Sequence, residues 1–197
     1  MVQSIRFVFA LAAGLLLAMP AASEAGPPLI CHPFQTDGAA LLPWGDGSSW
    51  NTPDRNYDVR NLTQDTMRLL APTAPVLARM ENIRRATIYA ARDRNAADQL
   101  LAAVLARAQS PQADGQALFD AGYLIESYKQ AIHLHRRAAP TQDGYAMVRR
   151  ALARSSESSE MEFAASLMTQ GAVSDAHRRR AQAGASAGSL LARNLGS

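Results

Sequence analysis

Residues 113–138 read ADGQALFDAGYLIESYKQAIHLHRRA, and this stretch decides the fold. Ala117, Leu118, Phe119, Ala121, Gly122, Tyr123, Leu124, Ile125, Tyr128, Ala131 and Ile132 cover most of the circumference of a helix. A helix that is apolar nearly all round has to be enclosed by others, so this one is expected at the centre of an all-α fold. Gly122 is out of place on propensity alone, because glycine inside a helix costs about 1 kcal/mol against alanine. Its expected compensation is the close approach of a neighbouring helix.

The helical period continues on both sides. Toward the C-terminus, Tyr145, Val148 and Leu152 resume the stripe after the Pro140–Gly144 turn, and Met161, Ala164, Ala165 and Met168 follow a serine-rich link. A last helix is expected over about 174–195, capped by Ser174 and frayed where glycine and other small residues crowd 181–189. Toward the N-terminus, Ala97, Leu100, Leu101, Val104, Leu105 and Ala108 make a clean stripe ended by Ser110-Pro111. Before it, Val76, Met80, Ile83, Thr87 and Ala90 share one face, with the helix opened by Pro75. A short helix is expected over 62–70, with Asn61 as its N-cap and Pro72 as its stop. The link Asp93-Arg94-Asn95 is short enough to make its two helices antiparallel.

The helices pair near 75–110, 113–155 and 159–195, so the pattern fits an antiparallel helical-hairpin bundle or an irregular helical-repeat-like array. The tetratricopeptide pattern does not fit. With Gly122 as its glycine, Leu118 falls at the tryptophan position, and no second helix starts on schedule.

Residues 26–60 obey no helical period. Pro27, Pro28, Pro33, Pro43 and Pro53 each remove a backbone donor and push the preceding residue out of the α region, so an extended arm is expected ahead of a helical domain at 61–197. Both tryptophans, Trp44 and Trp50, lie on this arm together with Phe34. Large aromatic groups on an irregular segment anchor it to a surface, either of its own domain or of a partner.

Residues 1–25 read as an address. Arg6 precedes an apolar run from Phe7 to Met19, then Pro20, with small residues at Ser23 and Ala25. That is the layout of a signal peptide cut between Ala25 and Gly26. The run is shorter than the roughly 20 residues a membrane-spanning helix needs, so no stable span is expected after cleavage. The expected destination is the periplasm or the extracellular space. About 170 residues remain, enough to bury a core without disulfide or metal.

The 197 residues are 48% hydrophobic and 19% charged, with a formal net charge of +3. That excess is too small to point to nucleic acid, and no aromatic residues interleave the basic runs. Those runs, Arg84-Arg85, His135-Arg136-Arg137, Arg149-Arg150 and His177–Arg180, are read as solvated helix faces.

The chemical motifs are sparse. Cys31 is the single cysteine. It is expected either to be buried or to form a disulfide with another molecule. Cys31-His32 lacks the second cysteine of a haem-attachment motif and the further ligands of a zinc site. His133 and His135 point about 200° apart on a helix and cannot share an ion. Gly184-Ala185-Ser186-Ala187-Gly188 matches the nucleophile-elbow string, yet no Asp or His follows Ser186, as that fold requires. Glu157, Glu160 and Glu162 read as a solvated helix start. Asp46, Asn51, Asp54, Asn56 and Asp58 lack the order of a calcium loop. No catalytic, cofactor or metal residue is assigned.

The functional expectation is an exported, non-enzymatic helical protein-interaction module, its partner a protein met outside the cytoplasm and its contact residues Phe34, Trp44 and Trp50. The alternative is a periplasmic small-ligand or cofactor binder with a cavity beside helix 113–138, where Tyr123, Tyr128 and Tyr145 supply hydroxyls. A hydrolase without a convincing motif is a third class. It requires a cleft that brings a histidine within reach of a Ser or Cys and an acid.

Overall fold

The computed structural model describes residues 28–47, 49–132, 134, 138–155 and 158–196. The expected leader with its Ala25–Gly26 cut, and His133, His135, Arg136, Arg137 and Glu157, lie outside the described residues. Among those described, the fold is all-α: α1 (Pro28–Cys31), α2 (Leu62–Leu69), α3 (Val76–Ala90), α4 (Arg94–Gln109), α5 (Gly115–Gln130), α6 (Gly144–Arg154), α7 (Ser159–Met168), α8 (Gly171–Ala183) and α9 (Leu190–Leu195), with a 3₁₀ turn at Val59–Asn61 before α2.

Short polar side chains set most of the helix starts. Asp93, Asp114, Asp143, Ser158 and Ser189 each accept a hydrogen bond from the first turn of α4, α5, α6, α7 and α9. Such caps satisfy amides that have no partner within the helix. Three boundaries differ from expectation. Helix α5 stops at Gln130, where Ile132 and Leu134 form tighter three-residue turns back to Lys129 and Ala131. Helix α8 begins at Gly171, so Ser174 is not its cap; its hydroxyl donates instead to the Ser166 carbonyl across to α7. The segment expected to fray after 181 ends in an ordered helix, because buried Asn194 of α9 bonds both the amide and the carbonyl of Gln35.

The arm is not wholly extended. Its first residues form the turn of helix α1, and Leu29, Ile30, Phe34 and Leu42 enter the core. Gln130 explains the placement of α1, since its side chain accepts from the Leu29 amide and donates to the Leu167 carbonyl of α7.

The central position also differs from expectation. Helix α3 is buried on all sides apart from half-buried Arg85, whereas α5 keeps a half-buried margin at its two ends and at Glu126. The helix looked amphipathic because Arg79, Glu81, Asn82 and Arg84 interrupt its apolar residues, but all four are fully buried. Their charges are spent internally. Nor do α3 and α4 pack as a close hairpin: α4 lies mainly against α5 and α2, while α3 is held by α5, α2 and the arm. The most extensive pairings are α5 with α6 and α7 with α8.

Gly122 meets its expectation. A Cβ there would lie 2.4 Å from the Gly144 carbonyl oxygen, and one on Gly144 would lie 2.5 Å from the Gly122 oxygen. Two backbones therefore touch where α5 crosses the start of α6.

The second feature that fixes the helices is ionic. Asp120 of α5 accepts from Arg79 Nη1 and Arg107 Nη2, both at 2.6 Å on one oxygen. Arg79 also donates to the Leu70, Ala71 and Ala74 carbonyls and to Gln116. Arg107 adds a bond to Leu70. The two guanidiniums thus cap the end of α2 and the turn into α3. Burial lifts the Asp120 carboxyl to about 6, even though Arg79 and Arg107 both pull it down.

Two predictions follow from this packing. Gly122→Ala gains roughly 1 kcal/mol of helix propensity but forces two backbones apart at a cost of about 1–3 kcal/mol, so a lower melting temperature is expected; a stabilised variant would refute the crossing. Folded Asp120 holds its proton more tightly than in the unfolded chain. Its contribution to stability is therefore fully present below about pH 4 and lost as pH rises through about 6. Urea melts across that window should show this slope in the wild type, and Asp120→Asn should flatten it.

Candidate functional site

The arm aromatics are largely occupied within the chain. Phe34 packs edge-on against Phe163, with ring centroids 6.1 Å apart. Trp44 meets Tyr89 edge-on, and the guanidiniums of Arg84 and Arg85 lie 4.9 and 5.3 Å from its ring centroid. Trp50 is half-buried, and its carbonyl accepts from Arg84. The Arg84-Arg85 run is therefore no solvated face: Arg84 is fully buried, and both arginines bind Glu81.

The three tyrosines do not converge on one cavity. Tyr123 stacks on Phe119 in the core, where its hydroxyl is buried and has no partner among the described residues. Burial raises its pKa well above the ordinary phenol value. The Tyr128 hydroxyl donates to the Ala97 carbonyl at 3.2 Å. Tyr145 sits on α6, with its hydroxyl 2.7 Å from His177 Nε2.

That last contact belongs to a constellation the sequence did not suggest. His177 of α8 is buried, and its Nδ1 lies 2.5 Å from Glu162 Oε2 of α7. Arg180, one turn along α8, reaches Glu162 Oε1 at 2.8 Å and approaches Nδ1. The carboxylate can only accept, so its contact calls for Nδ1–H donating to Glu162, which leaves Nε2 to accept from the Tyr145 hydroxyl and Arg180 to bond Glu162 rather than the ring. Glu162 is then the partner of a buried histidine rather than a solvated helix start. Beside it, a cleft of about 430 Å³ is lined by Ser155, Ser158, Ser159, Glu162, Arg180 and Gly184 among others. The histidine has an acid and a phenol within reach, but neither a serine nor a cysteine hydrogen-bonds it among the described residues. The constellation is best explained as a polar tie that locks α6 to α7 and α8.

Cys31 is half-buried in α1. Burial raises its thiol pKa, and nearby Arg84 lowers it. His32 is exposed. Ser186 lies in the exposed link between α8 and α9. Asp54 and Asp58 are engaged locally, by the Asn56 amide and by Arg60. Among the described residues, no three His, Cys, Asp or Glu side chains gather as a metal site.

A larger cleft, of about 930 Å³, opens between the α4–α5 link and α6. Its apolar lining comes from Ala108 and Leu118, both buried, and from Ala146 and Met147 of α6, both half-buried. Its rim is polar, with Gln109, Ser110, Gln142, Arg150 and Arg154. Asp143, Ala146, Met147, Arg150 and Arg154 recur every three or four residues and so share one face of α6. Val148 and Ala151 face the core instead. Arg150 and Arg154 form no ion pair among the described residues. Sequence reading registered Arg150 in a basic run but not Arg154, and it could not foresee that the α4–α5 link would form the opposite wall.

Comparison with known proteins adds no relative: no family model matches the chain, and neither does any curated protein or solved structure.

The polar tie predicts its own energetics. Tyr145→Phe removes the donor to buried His177, and a ring nitrogen left unpaired costs about 1–3 kcal/mol. Chemical denaturation should show that loss with unchanged helical content; a neutral effect would mean that the bond to His177 contributes nothing to stability.

Proposed function

We propose that this chain is an exported helical protein that binds a small ligand in the cleft between the α4–α5 link and α6. One observation carries the reading: this cleft sets the half-buried Ala146 and Met147 beside polar groups that include two arginines without a carboxylate partner among the described residues. Its volume of about 930 Å³ falls in the range typical of small-molecule sites, 300 to 1,000 Å³ or so. The ligand reading thus moves from the expected tyrosine cavity to the other face of the α5–α6 pair. Export rests on the leader-like residues 1–25 and belongs to the proposal.

The competing reading, docking of a protein partner through the arm, has less support. Phe34 is buried, and Trp44 already contacts Arg84, Arg85 and Tyr89. No reaction is assigned, since the histidine constellation lacks a serine or cysteine nucleophile among its partners.

A fragment library screened by methyl NMR tests the proposal. Hits are expected to shift the Met147, Leu118 and Ala146 methyl signals and to lose binding in Ala146→Trp, which fills the cleft. Perturbations that gather elsewhere, or none at all, would remove the reading.

A further inference from the structure

We infer that the ligand of this cleft is a monomeric anionic amphiphile, its acidic head held by Arg150 and Arg154 and its apolar body laid over Ala146, Met147 and Leu118. The inference deepens the ligand-binding reading and rests on it.

The first argument is charge. The buried and half-buried Arg79, Arg84, Arg85 and Arg107 all reach a carboxylate, whereas Arg55, Arg92, Arg178 and Arg179 reach none among the described residues and line no part of this cleft. On α6, Arg149, Arg150 and Arg154 reach none among the described residues, and the helix itself contains no acid. The carboxylate of the cleft is Asp143, which is occupied as the cap of α6 through the Ala146 amide at 2.8 Å. It lies seven residues before Arg150, about 10 Å along the helix axis. The positive charge at the far end of the cleft is therefore uncompensated by its own walls.

The second argument is preorganisation. Arg154 Nη1 donates to the Ala113 carbonyl at 3.1 Å, a bond that crosses from α6 to the opposite wall. The guanidinium is held at the cleft edge with its other N–H groups available. Arg150, one turn earlier, sits about 6 Å away along the axis. Two forks at that spacing can grip the oxygens of one acidic head.

The third argument is the floor. Leu118 is almost fully buried, so Ala146 and Met147, both half-buried, present the apolar part of a lining that is otherwise polar. A wholly polar anion would leave that surface wet, whereas a hydrocarbon or aryl body covers it. Gln109, Ser110 and Gln142 remain at the rim to meet solvent or the head group.

The test compares octanoate with 1-octanol by calorimetry, on the wild-type chain, the Arg150→Gln/Arg154→Gln double variant and Arg149→Gln. Arg149 is exposed and lies outside the cleft lining, so it reports non-specific attraction. The expected result is octanoate binding at least tenfold tighter than octanol in the wild type and in Arg149→Gln. In the double variant, octanoate should fall to the affinity of octanol. Equal affinities for the two in the wild type, or full octanoate binding in the double variant, would overturn the anionic class and leave a neutral-ligand cleft. If neither compound binds, the cleft reading falls as well. Vesicles containing anionic phospholipid form the last arm, and binding to vesicles but not to octanoate would overturn the inference in favour of a basic membrane-facing surface.

Discussion

The buried carboxylate of Glu81 is the constraint on which the architecture depends. It accepts four hydrogen bonds: from Arg84 Nε and Nη2, from Arg85 Nε, and from the Phe34 amide of the arm. The arginines then reach outward, Arg84 to the Ile30 and Trp50 carbonyls and Arg85 to that of Leu42. Asn82 holds the Leu42 amide and the Ala40 carbonyl, and the Tyr89 hydroxyl donates to Pro43. An arm rich in proline pairs its backbone with itself at only a few points, such as the Gly45 amide to the Thr52 carbonyl. Helix α3 supplies the partners, so the arm's backbone polar groups can approach the core without remaining unsatisfied.

Burying such charges is not a route to stability, since desolvation takes back most of the Coulombic gain. What it supplies is direction. An apolar contact lets the arm slide, whereas a carboxylate with four fixed donors admits one register. The Asp120 node works in the same way in the first turn of α3, where Arg79 and Arg107 fasten the end of α2 to α5. Helix α3 is therefore central for its polar groups as much as for its apolar ones.

This explains what the sequence disclosed and what it hid. Period was legible but caps were not: the expected caps Asn61 and Ser174 make no capping bond, while Asp93, Asp114 and Asp143, short side chains before apolar stripes, went unread although their signal is local. Gly122 was legible too, because a glycine that violates propensity inside a strong helix implies a tight crossing. The burial of Arg79, Glu81 and Arg84 was not, since a charge reads as solvent-facing until its partners are known, and those partners are arm carbonyls 34 to 54 residues away for Arg84. The His177 tie failed for the same reason. Tyr145, Glu162 and His177 lie on three different helices, and nothing local to any of them announces the other two.

The same division locates the candidate site. Helix α6 has one stripe turned inward, where Val148 and Ala151 pack and Gly144 touches Gly122, and Tyr145 ties it to α8. Every polar group on that side has an account in the fold. The other stripe borders the cleft: its arginines have no described carboxylate partner, and Ala146 and Met147 reach the opening, Met147 while also packing beside Gly122. Unpaired surface arginine occurs elsewhere in the chain; what sets this face apart is that two such arginines share a cleft with the half-buried Ala146 and Met147. A ligand carrying both a negative head and an apolar body would complete both halves of that face at once.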